Sequence, residues 1–282
     1  MRETDFPPPS DSFRWVRVGG RGALVCRALE AAVTHLFTTR AWRLGAGDDT
    51  AGWAEIADAV AVGPDHLVHV RQVHGADVVV RHAGDSRSDD PPADILVSDD
   101  PASALAIQTA DCVPLLVADV QTGAVAAAHA GWRGLAVRVP GAAVEALGRE
   151  FGSRPENLLV AVGPAIGACC YEVGTDVRQR FEDAAFPSGA VDAWFFRAPR
   201  PSPQNPPMAD LPGAPRAGHW YFDGAAAARD QLLAAGVPSA RIYLADLCTA
   251  SHPAALCSYR RDGAGAGRLV AAIRSGRGRA PR

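Results

Sequence analysis

The sequence predicts one mixed α/β-type domain in which strands outnumber helices. Nearly half of the 282 residues are hydrophobic (48%), which is enough for a buried core. Short apolar runs bounded by Gly, Asp or Pro crowd the centre of the chain, from about residue 33 to 177. Apolar residues at helical spacing are found in fewer places. A chain of 282 residues is compatible with a single domain of this class.

The predicted strands are short apolar segments, most of them in the first 162 residues. A run of this length between turn-forming residues is typical of a buried strand. Seven segments qualify in the first part of the chain and two near its end: 66–70, 78–81, 95–97, 104–108, 113–118, 124–128, 158–162, 241–245 and 269–273.

Three segments have the spacing of amphipathic helices. Val144, Leu147 and Phe151 lie at i, i+3 and i+7, and residues 173, 177 and 181 lie at i, i+4 and i+8. Asp223 can cap a third helix that runs through Ala-rich sequence to about residue 233. Gly and Pro follow at positions 236 and 238 and end it.

Composition divides the rest of the chain into a core domain and less regular segments. Residues 1–20 are Pro-rich and polar, and we expect them to be poorly ordered. Eight prolines fall within residues 187–218, seven of them between 199 and 215, which predicts a loop insertion and not a second domain. The Arg-rich tail at 275–282 predicts a frayed terminus or, as the alternative, a basic contact arm. Residues 21–274 then form a single domain.

Charge and cysteine usage narrow the class of protein. The net charge of −3 and the isoelectric point of about 6.2 do not indicate a nucleic-acid or membrane partner. The N-terminus lacks the apolar stretch of a signal peptide, and no run of about 18 apolar residues is present. We therefore expect a cytoplasmic protein whose six cysteines are reduced and serve as core residues or ligands.

Three residues that can bind a metal ion lie at the ends of apolar runs. They are His74, Cys112 and His129. Imidazole nitrogen and thiolate sulfur are the ligands that zinc prefers, and three protein ligands leave a fourth position open, as in catalytic sites. Each residue alone also has an ordinary interpretation. A histidine at a strand end is often a hydrogen-bonded structural residue, and a cysteine is often a small buried hydrophobe. The residues by themselves predict no more than a metal site as one option.

Five ordered segments resemble the YfiH-type laccase-domain family, also called the multicopper polyphenol oxidase or purine nucleoside phosphorylase family. The resemblance covers roughly residues 33–274. It implies that His74, Cys112 and His129 are the metal ligands, with zinc as the metal and copper as the alternative. The segments are RQVHG at 71–75, TADCVP at 109–114, AHAGWRG at 128–134, VGPAIGACCYEV at 162–173 and SYRRDG at 258–263.

The resemblance also implies the fold and the activity. The family fold is α+β, with mixed β-sheets sandwiched between helices in four αββα layers. Members cleave adenosine, inosine and methylthioadenosine with phosphate and deaminate adenosine hydrolytically. Alternatives are a copper-dependent polyphenol oxidase (laccase) and an amide hydrolase that edits misincorporated serine in peptidoglycan precursors. Partners are then small molecules, a purine nucleoside and phosphate, and we expect a monomer or small homo-oligomer.

Several residues are candidates for roles beside the metal. Asp111 is a candidate proton shuttle for deamination, or alternatively a group that orients a ligand imidazole. Phosphate suits the planar guanidinium group, which offers paired donors. The candidates are Arg40 in the FTTR segment, Arg133 and Arg261, with Arg40 and Arg133 preferred. In the amide hydrolase alternative, Cys112 is the nucleophile and a histidine its base.

The chain departs from the family pattern after Arg40 and at Pro140, among other places. Arg40 is followed by AWRLG and not by a Gly-Gly turn, which affects any phosphate contact made by Arg40. Pro140 lies where the helix after HAGWRG usually continues, and predicts a kink or a later helix start.

Overall fold

Strands form the framework of this computed structural model, which describes residues 6–45, 50–85, 91–209, 211 and 216–276. The strands in these ranges are β1 (Phe13–Val18), β2 (Arg21–Cys26), β3 (Thr34–Thr38), β4 (Leu67–Val68), β5 (Val78–Arg81), β6 (Ile95–Ser98), β7 (Ala104–Thr109), β8 (Val113–Asp119), β9 (Val125–Ala130), β10 (Leu158–Val162), β11 (Glu172–Gly174), β12 (Phe195–Phe196), β13 (His219–Phe222), β14 (Ile242–Leu244) and β15 (Leu269–Arg274).

The helices flank these strands and are mostly short. They are α1 (Thr50–Ala59), α2 (Trp132–Ala136), α3 (Val139–Phe151), α4 (Thr175–Asp183), α5 (Ser188–Trp194), α6 (Gly224–Ala234) and α7 (Tyr259–Asp262). Among the described residues, no helix is long and apolar enough to cross a membrane.

The described strands form two large mixed sheets and one small one. The first sheet has the order β1-β2-β3-β15-β7-β4, and the second has the order β14-β10-β8-β9-β6-β5. Most neighbours are antiparallel, but β4–β7, β10–β14 and β5–β6 pair in parallel. A small antiparallel sheet, β11-β13-β12, is not hydrogen-bonded to them, but its apolar residues join the core beside the second sheet. The mixed α+β fold predicted for the chain is confirmed.

The two large sheets lie face to face, and successive side chains of their strands pack on opposite sides. On β9, Val125 and Ala127 belong to the core between the sheets, whereas Ala126 and Ala128 pack with residues of α3 and α6. On β15 the odd-numbered residues face the inter-sheet core, and Val270 packs toward the α1 side. Successive side chains of a strand point to opposite faces, so both faces of each sheet are covered. The resulting layers are α1, first sheet, second sheet, then α3 with α6.

The N-terminal segment differs from its prediction. Residues 13–18 form β1, an edge strand paired with β2, so the expectation of a poorly ordered segment is wrong there. Phe6 stacks on Trp15 with ring centroids 4.6 Å apart, and the Trp15 indole N–H donates to the Pro7 carbonyl at 2.7 Å. The aromatic residues anchor a sequence whose prolines and charges alone indicate disorder. Residues 1–5 lie outside the described part.

The Pro-rich stretch is also more regular than predicted. Helix α5 and strand β12 occupy residues 188–196, and Trp194 and Phe195 are buried, so these residues are not a loop. Their apolar side chains pack against Phe181 of α4. Asn205 is buried as well: its side-chain oxygen accepts from the backbone N–H of Cys248 at 2.7 Å. Residues 210 and 212–215 of this stretch lie outside the described part.

The predicted C-terminal boundary and one of three predicted helix starts differ from the structure. Ser275 is buried, so the predicted tail begins later than residue 275, and residues 277–282 lie outside the described part. Helix α3 begins at Val139 with Pro140 in its first turn, which confirms the later start. Asp223 caps α6 by accepting the Ala226 N–H at 2.9 Å, as predicted. Val173, by contrast, lies in β11, and α4 begins only after Gly174.

Candidate metal centre and its cavity

Three segments far apart in the chain bring His74, Cys112 and His129 together. His74 lies in the loop between β4 and β5, Cys112 in the turn between β7 and β8, and His129 on β9. One nitrogen of each imidazole and the thiol sulfur all lie within 4.8 Å of one another. The Cys112 sulfur is 3.9 Å from His74 Nε2, and the two imidazole centroids are 4.8 Å apart. The three donors are close enough to share one ion with modest side-chain movement; their metal binding stays a prediction.

The backbone at two of these segments adopts a left-handed conformation. His74 has φ 61° and Asp111, beside Cys112, has φ 93°. Such angles are unfavourable for residues other than glycine and persist where the surroundings impose them. The β7–β8 turn carries the chain from the first sheet to the second, so Cys112 is presented where the two sheets meet.

Asp94 organises both histidines. One carboxylate oxygen accepts from His129 Nδ1 at 2.7 Å and from the His74 backbone N–H at 3.0 Å. The other accepts from the N–H groups of Gly75 at 2.7 Å and Val73 at 3.2 Å. The Asp94 side chain is fully buried. Because Nδ1 of His129 is engaged, its Nε2 is left to act as a ligand, the usual carboxylate–histidine arrangement at metal sites.

Asp94 was missed by the sequence analysis. Its only signal was a carboxylate directly before the apolar run at 95–97. Such a position predicts a buried acid, yet nothing in the sequence shows that three amides and an imidazole of other segments converge on it.

Gly131 leaves room for the donors. A Cβ at this position would lie 2.9 Å from the Cys112 sulfur and 2.9 Å from Cδ2 of His74. Its φ of −67° is ordinary, so close approach and not backbone freedom requires glycine here. The absent side chain opens a cradle beside one thiol and one imidazole. The donor set and this cradle fit a zinc-type ion.

The electrostatics of the group favour the charge states that such a site uses. Burial raises the pKa of Cys112, but the charge of His129 and hydrogen bonds from both histidines outweigh it and lower that pKa to about 6. Burial lowers the pKa of His129, but the Cys112 thiolate and Asp94 raise it to about 9. Thiolate is the form that binds metals and attacks electrophiles.

A cavity of about 890 Å³ opens over the three residues. Its size lies within the usual range for small-molecule sites. Four aromatic side chains and four arginines contribute to its wall, and Trp53 stacks on His69 with centroids 4.4 Å apart. The wall therefore offers flat apolar faces together with positive charge. These residues are Trp53, Trp132, Tyr171 and Tyr259, and Arg71, Arg133, Arg260 and Arg268.

Of the three arginines predicted from the sequence to bind phosphate, one lines the cavity and two do not. Arg133 lines the cavity and lies over the Trp132 ring, 4.3 Å from its centroid. Arg40 donates to the Pro253 carbonyl, and Arg261 donates to several backbone carbonyls, including that of Leu256 at 2.9 Å. Neither Arg40 nor Arg261 is among the described residues that line the cavity. The other three lining arginines, Arg71, Arg260 and Arg268, were not predicted from the sequence, although Arg71 and Arg260 lie in the recognised motifs.

Asp111 lines the cavity, but its carboxylate is engaged. One oxygen accepts from the Thr249 hydroxyl at 2.6 Å and the other from the Arg260 backbone N–H at 2.6 Å. Burial raises the pKa of Asp111 despite these hydrogen bonds. The contacts tie the β7–β8 turn to the segment around residue 260. They favour a positioning role over proton transfer, and the imidazole-orienting role considered for Asp111 is performed by Asp94.

Comparison with known proteins gives concordant matches over most of the chain. A family model described as multi-copper polyphenol oxidoreductase laccase matches residues 49–275. The purine nucleoside phosphorylase of Deinococcus radiodurans is 35% identical over 267 residues, which cover 89% of this chain and 93% of that protein. Adenosine deaminase RL5, from an unknown prokaryotic organism, is 32% identical over 225 residues, covering 77% and 78%. The crystal structure of the Bacillus licheniformis hypothetical protein YfiH superimposes with a TM-score of 0.77 at 26% identity, covering 94% of this chain and all (100%) of that one.

Proposed function

The chain belongs to the family described as multi-copper polyphenol oxidoreductase laccase, and we propose that it is a zinc-dependent purine nucleoside enzyme. Relatives that are similar to it carry the names purine nucleoside phosphorylase and adenosine deaminase. It cleaves adenosine, inosine and methylthioadenosine with phosphate, and it deaminates adenosine hydrolytically. The single observation that carries the proposal is the convergence of His74, Cys112 and His129 on the wall of a nucleoside-sized cavity.

The chain's own residues hold and orient the metal. His74, Cys112 and His129 supply the three protein ligands, and Asp94 fixes the His129 ring through Nδ1. A zinc ion bound there supplies Lewis acidity, which lowers the pKa of water toward neutrality. Copper is the alternative occupant, because imidazole and thiolate also suit it.

Phosphate is held by the cationic part of the cavity wall. Arg260 already donates to the Glu172 carbonyl at 2.7 Å, and Arg268 donates to the Ala266 carbonyl at 2.9 Å. Arg133 instead lies over the Trp132 ring, with its guanidinium carbon 4.3 Å from the ring centroid. We therefore assign phosphate binding to Arg133 together with Arg71.

The aromatic part of the wall suits the purine. Base–aromatic stacking contributes about 1–3 kcal/mol per base in other nucleic-acid and base complexes. Tyr171 is partly buried, and its desolvation raises the pKa of its hydroxyl well above the ordinary value, so it stays a neutral donor. Asp111 positions the turn that carries Cys112.

Product analysis of metal-quantified protein tests the proposal. Adenosine is supplied with and without phosphate: adenine formed only with phosphate means phosphorolysis, and inosine in either case means deamination. We expect His74→Ala to lose bound zinc and both activities. Arg133→Ala should raise the KM for phosphate, whereas the surface control Arg149→Ala should not. Stoichiometric copper together with oxygen uptake on phenols, and no nucleoside turnover, would contradict the proposal.

One observation favours a second candidate, an amide hydrolase that edits serine-containing peptidoglycan precursors. The Cys112 thiol lies 3.9 Å from His74 Nε2, and Asp94 supports His129 on the other side. A cysteine beside a histidine and a buried carboxylate is also a nucleophile arrangement. Chelation separates the two candidates. A thiol hydrolase keeps its amidase activity in the metal-free form and loses it on alkylation of Cys112, whereas the zinc enzyme loses turnover on chelation.

A further inference from the structure

A second group of three possible metal ligands, all of them cysteines, lies outside the large cavity. Cys169 and Cys170 lie in the turn that follows β10, where the backbone N–H of Cys170 donates to the Gly167 carbonyl at 2.9 Å. Cys248 lies in the segment after β14. The two segments are joined through Ala165, whose N–H donates to Leu247 and whose carbonyl accepts from Thr249, at 3.2 and 3.0 Å. Hydrogen bonding of the two backbones therefore determines where the three thiols lie relative to one another.

The three sulfur atoms converge on a common point. All lie within 4.8 Å of one another, and the three residues are at most 2% exposed. Three thiolates on one ion with metal–sulfur bonds of about 2.3 Å are separated by roughly 3.8 Å, so a small contraction would complete the site. The Gly167 N–H also donates to the Cys248 sulfur at 3.3 Å, a contact that favours a thiolate.

The surroundings of this thiol group select a soft ion. Ile166, Ala250, Met208 and Leu211 pack around it. Within the part of the chain that the structure describes, His, Asp and Glu side chains do not join the group of donors. Zinc in structural sites takes four ligands, usually including a fourth Cys or His. Thiolates with a nearby thioether instead suit monovalent copper, which accepts lower coordination numbers.

An entry path is also present. A separate cavity of about 290 Å³ is lined by Cys169 and Cys248, together with Arg200 and Asn205. An ion can therefore reach two of the thiols without passing through the cavity that holds His74 and Cys112. A path of this kind is one of the features that a metal site needs.

We propose that Cys169, Cys170 and Cys248 bind one Cu(I) ion. This inference does not rest on the proposed nucleoside chemistry. The ion joins the turn that leads to Tyr171 to the segment whose Thr249 holds Asp111, and so stabilises one wall of the larger cavity. Its role is structural, because none of the three thiols is among the described residues lining that cavity.

Copper retention in the full-length chain tests this site. His74→Ala with His129→Ala serves as the background, since it removes the cavity ligands. The reduced protein is loaded anaerobically with Cu(I) and challenged with bicinchoninate. We expect the background to retain one copper per chain and to lose it when Cys169→Ser or Cys248→Ser is added. Cys257→Ser, a buried cysteine outside the group, is the matched control and should retain the copper.

X-ray absorption at the copper edge of the background protein gives a readout that does not depend on the serine variants folding. Three sulfur neighbours around copper support the proposal. A shell dominated by nitrogen or oxygen overturns it, as does equal copper loss in Cys257→Ser or the absence of retained copper. Loading with Zn(II) is the competing arm: one tightly held zinc that Cu(I) does not displace also overturns the assignment.

Discussion

At the scale of single residues, the centre depends on groups that contact the donors and do not themselves bind a metal. Asp94 takes hydrogen bonds from one imidazole and three backbone amides, and Gly131 keeps clear the space beside Cys112 and His74. Neither residue type is a metal ligand in this arrangement, yet each determines where a ligand side chain can lie. We therefore expect substitution of either residue to change metal binding through the position of a ligand side chain.

Asp94→Asn should weaken zinc binding. Four donors point at the two carboxylate oxygens, and an amide has only one oxygen, so at least one donor is left facing an NH₂ group. Changes to such partners of ligand histidines typically lower metal affinity by about 10–100-fold. Zinc competition with a chromophoric chelator measures the change. Asp85→Asn, on an exposed turn, is the control, and equal affinities for the two variants would sink the prediction.

Gly131→Ala should disturb the donors while the fold remains intact. The new Cβ would lie 2.9 Å from both the Cys112 sulfur and the His74 ring, so at least one of them must move. We expect loss of stoichiometric zinc, with a thermal midpoint near that of Gly141→Ala. Gly141 lies in α3 with open space around its Cβ position, which makes it a matched control. Full zinc occupancy in Gly131→Ala would show that the space is not required.

At the scale of elements, the segments that sequence predicted well are those with a strong apolar pattern. The segments β5, β8 and β10, and helices α3 and α6, were predicted because their core-facing residues are apolar and their ends carry turn or cap residues. Strand β1 was missed since it lies at a sheet edge and two arginines interrupt its apolar residues. Strands β11 to β13 are short and depend on tertiary pairing, which local propensity does not report.

Strand β11 of the small sheet is fixed by hydrogen bonds between a glutamate and an arginine. On β11, Glu172 is buried and accepts from the Arg216 backbone at 3.0 Å and from its guanidinium at 3.0 and 3.1 Å. Burial raises the pKa of Glu172, but these hydrogen bonds outweigh it and lower the pKa below the ordinary value of 4.5. A lowered folded-state pKa adds stability that is present above about pH 4.5 and is lost as the pH falls through the folded-state pKa.

Glu172→Gln should therefore destabilise the protein at neutral pH and matter less in acid. Hydrogen bonds to charged groups contribute about 1.5–3 kcal/mol each to stability, and we expect a loss of this order in the free energy of unfolding at pH 7. Urea unfolding at pH 7 and pH 4 measures the difference. Glu182→Gln, which removes an exposed ion pair to Arg178, should cost at most about 0.5 kcal/mol. A Glu172→Gln deficit that does not shrink in acid would contradict the assignment.

At the scale of the whole molecule, two sheets and the helices outside them form one body, and the donors lie where the sheets meet. His129 comes from the second sheet, and Cys112 from the turn that joins β7 of the first sheet to β8 of the second. The geometry of the centre therefore depends on how the sheets pack, and the inter-sheet core is part of what holds the donors together.

Leu116→Ala tests this dependence. Leu116 is fully buried in the core between the sheets, and truncation of such a leucine typically costs about 2–5 kcal/mol. We expect a lower free energy of unfolding in urea, together with weaker zinc retention because the sheets can shift. Val137→Ala, at an exposed position, should change the free energy of unfolding by less than about 0.5 kcal/mol. Equal stability of the two variants would argue against this core as the source of rigidity.

The sequence by itself determined the family, because five motifs of that family, including HAGWRG and GPAIGACCYEV, occur in order along the chain. The matching family model confirms the predicted resemblance. It also determined the α+β class and the identity of the three candidate ligands. Only the tertiary structure decided that these three donors meet, that Asp94 positions the two histidines, and that Arg71, Arg260 and Arg268 line the cavity while Arg40 and Arg261 do not. The physical reason is range: strand and helix patterns are set by neighbouring residues, whereas a shared site is set by the packing of segments far apart in the chain.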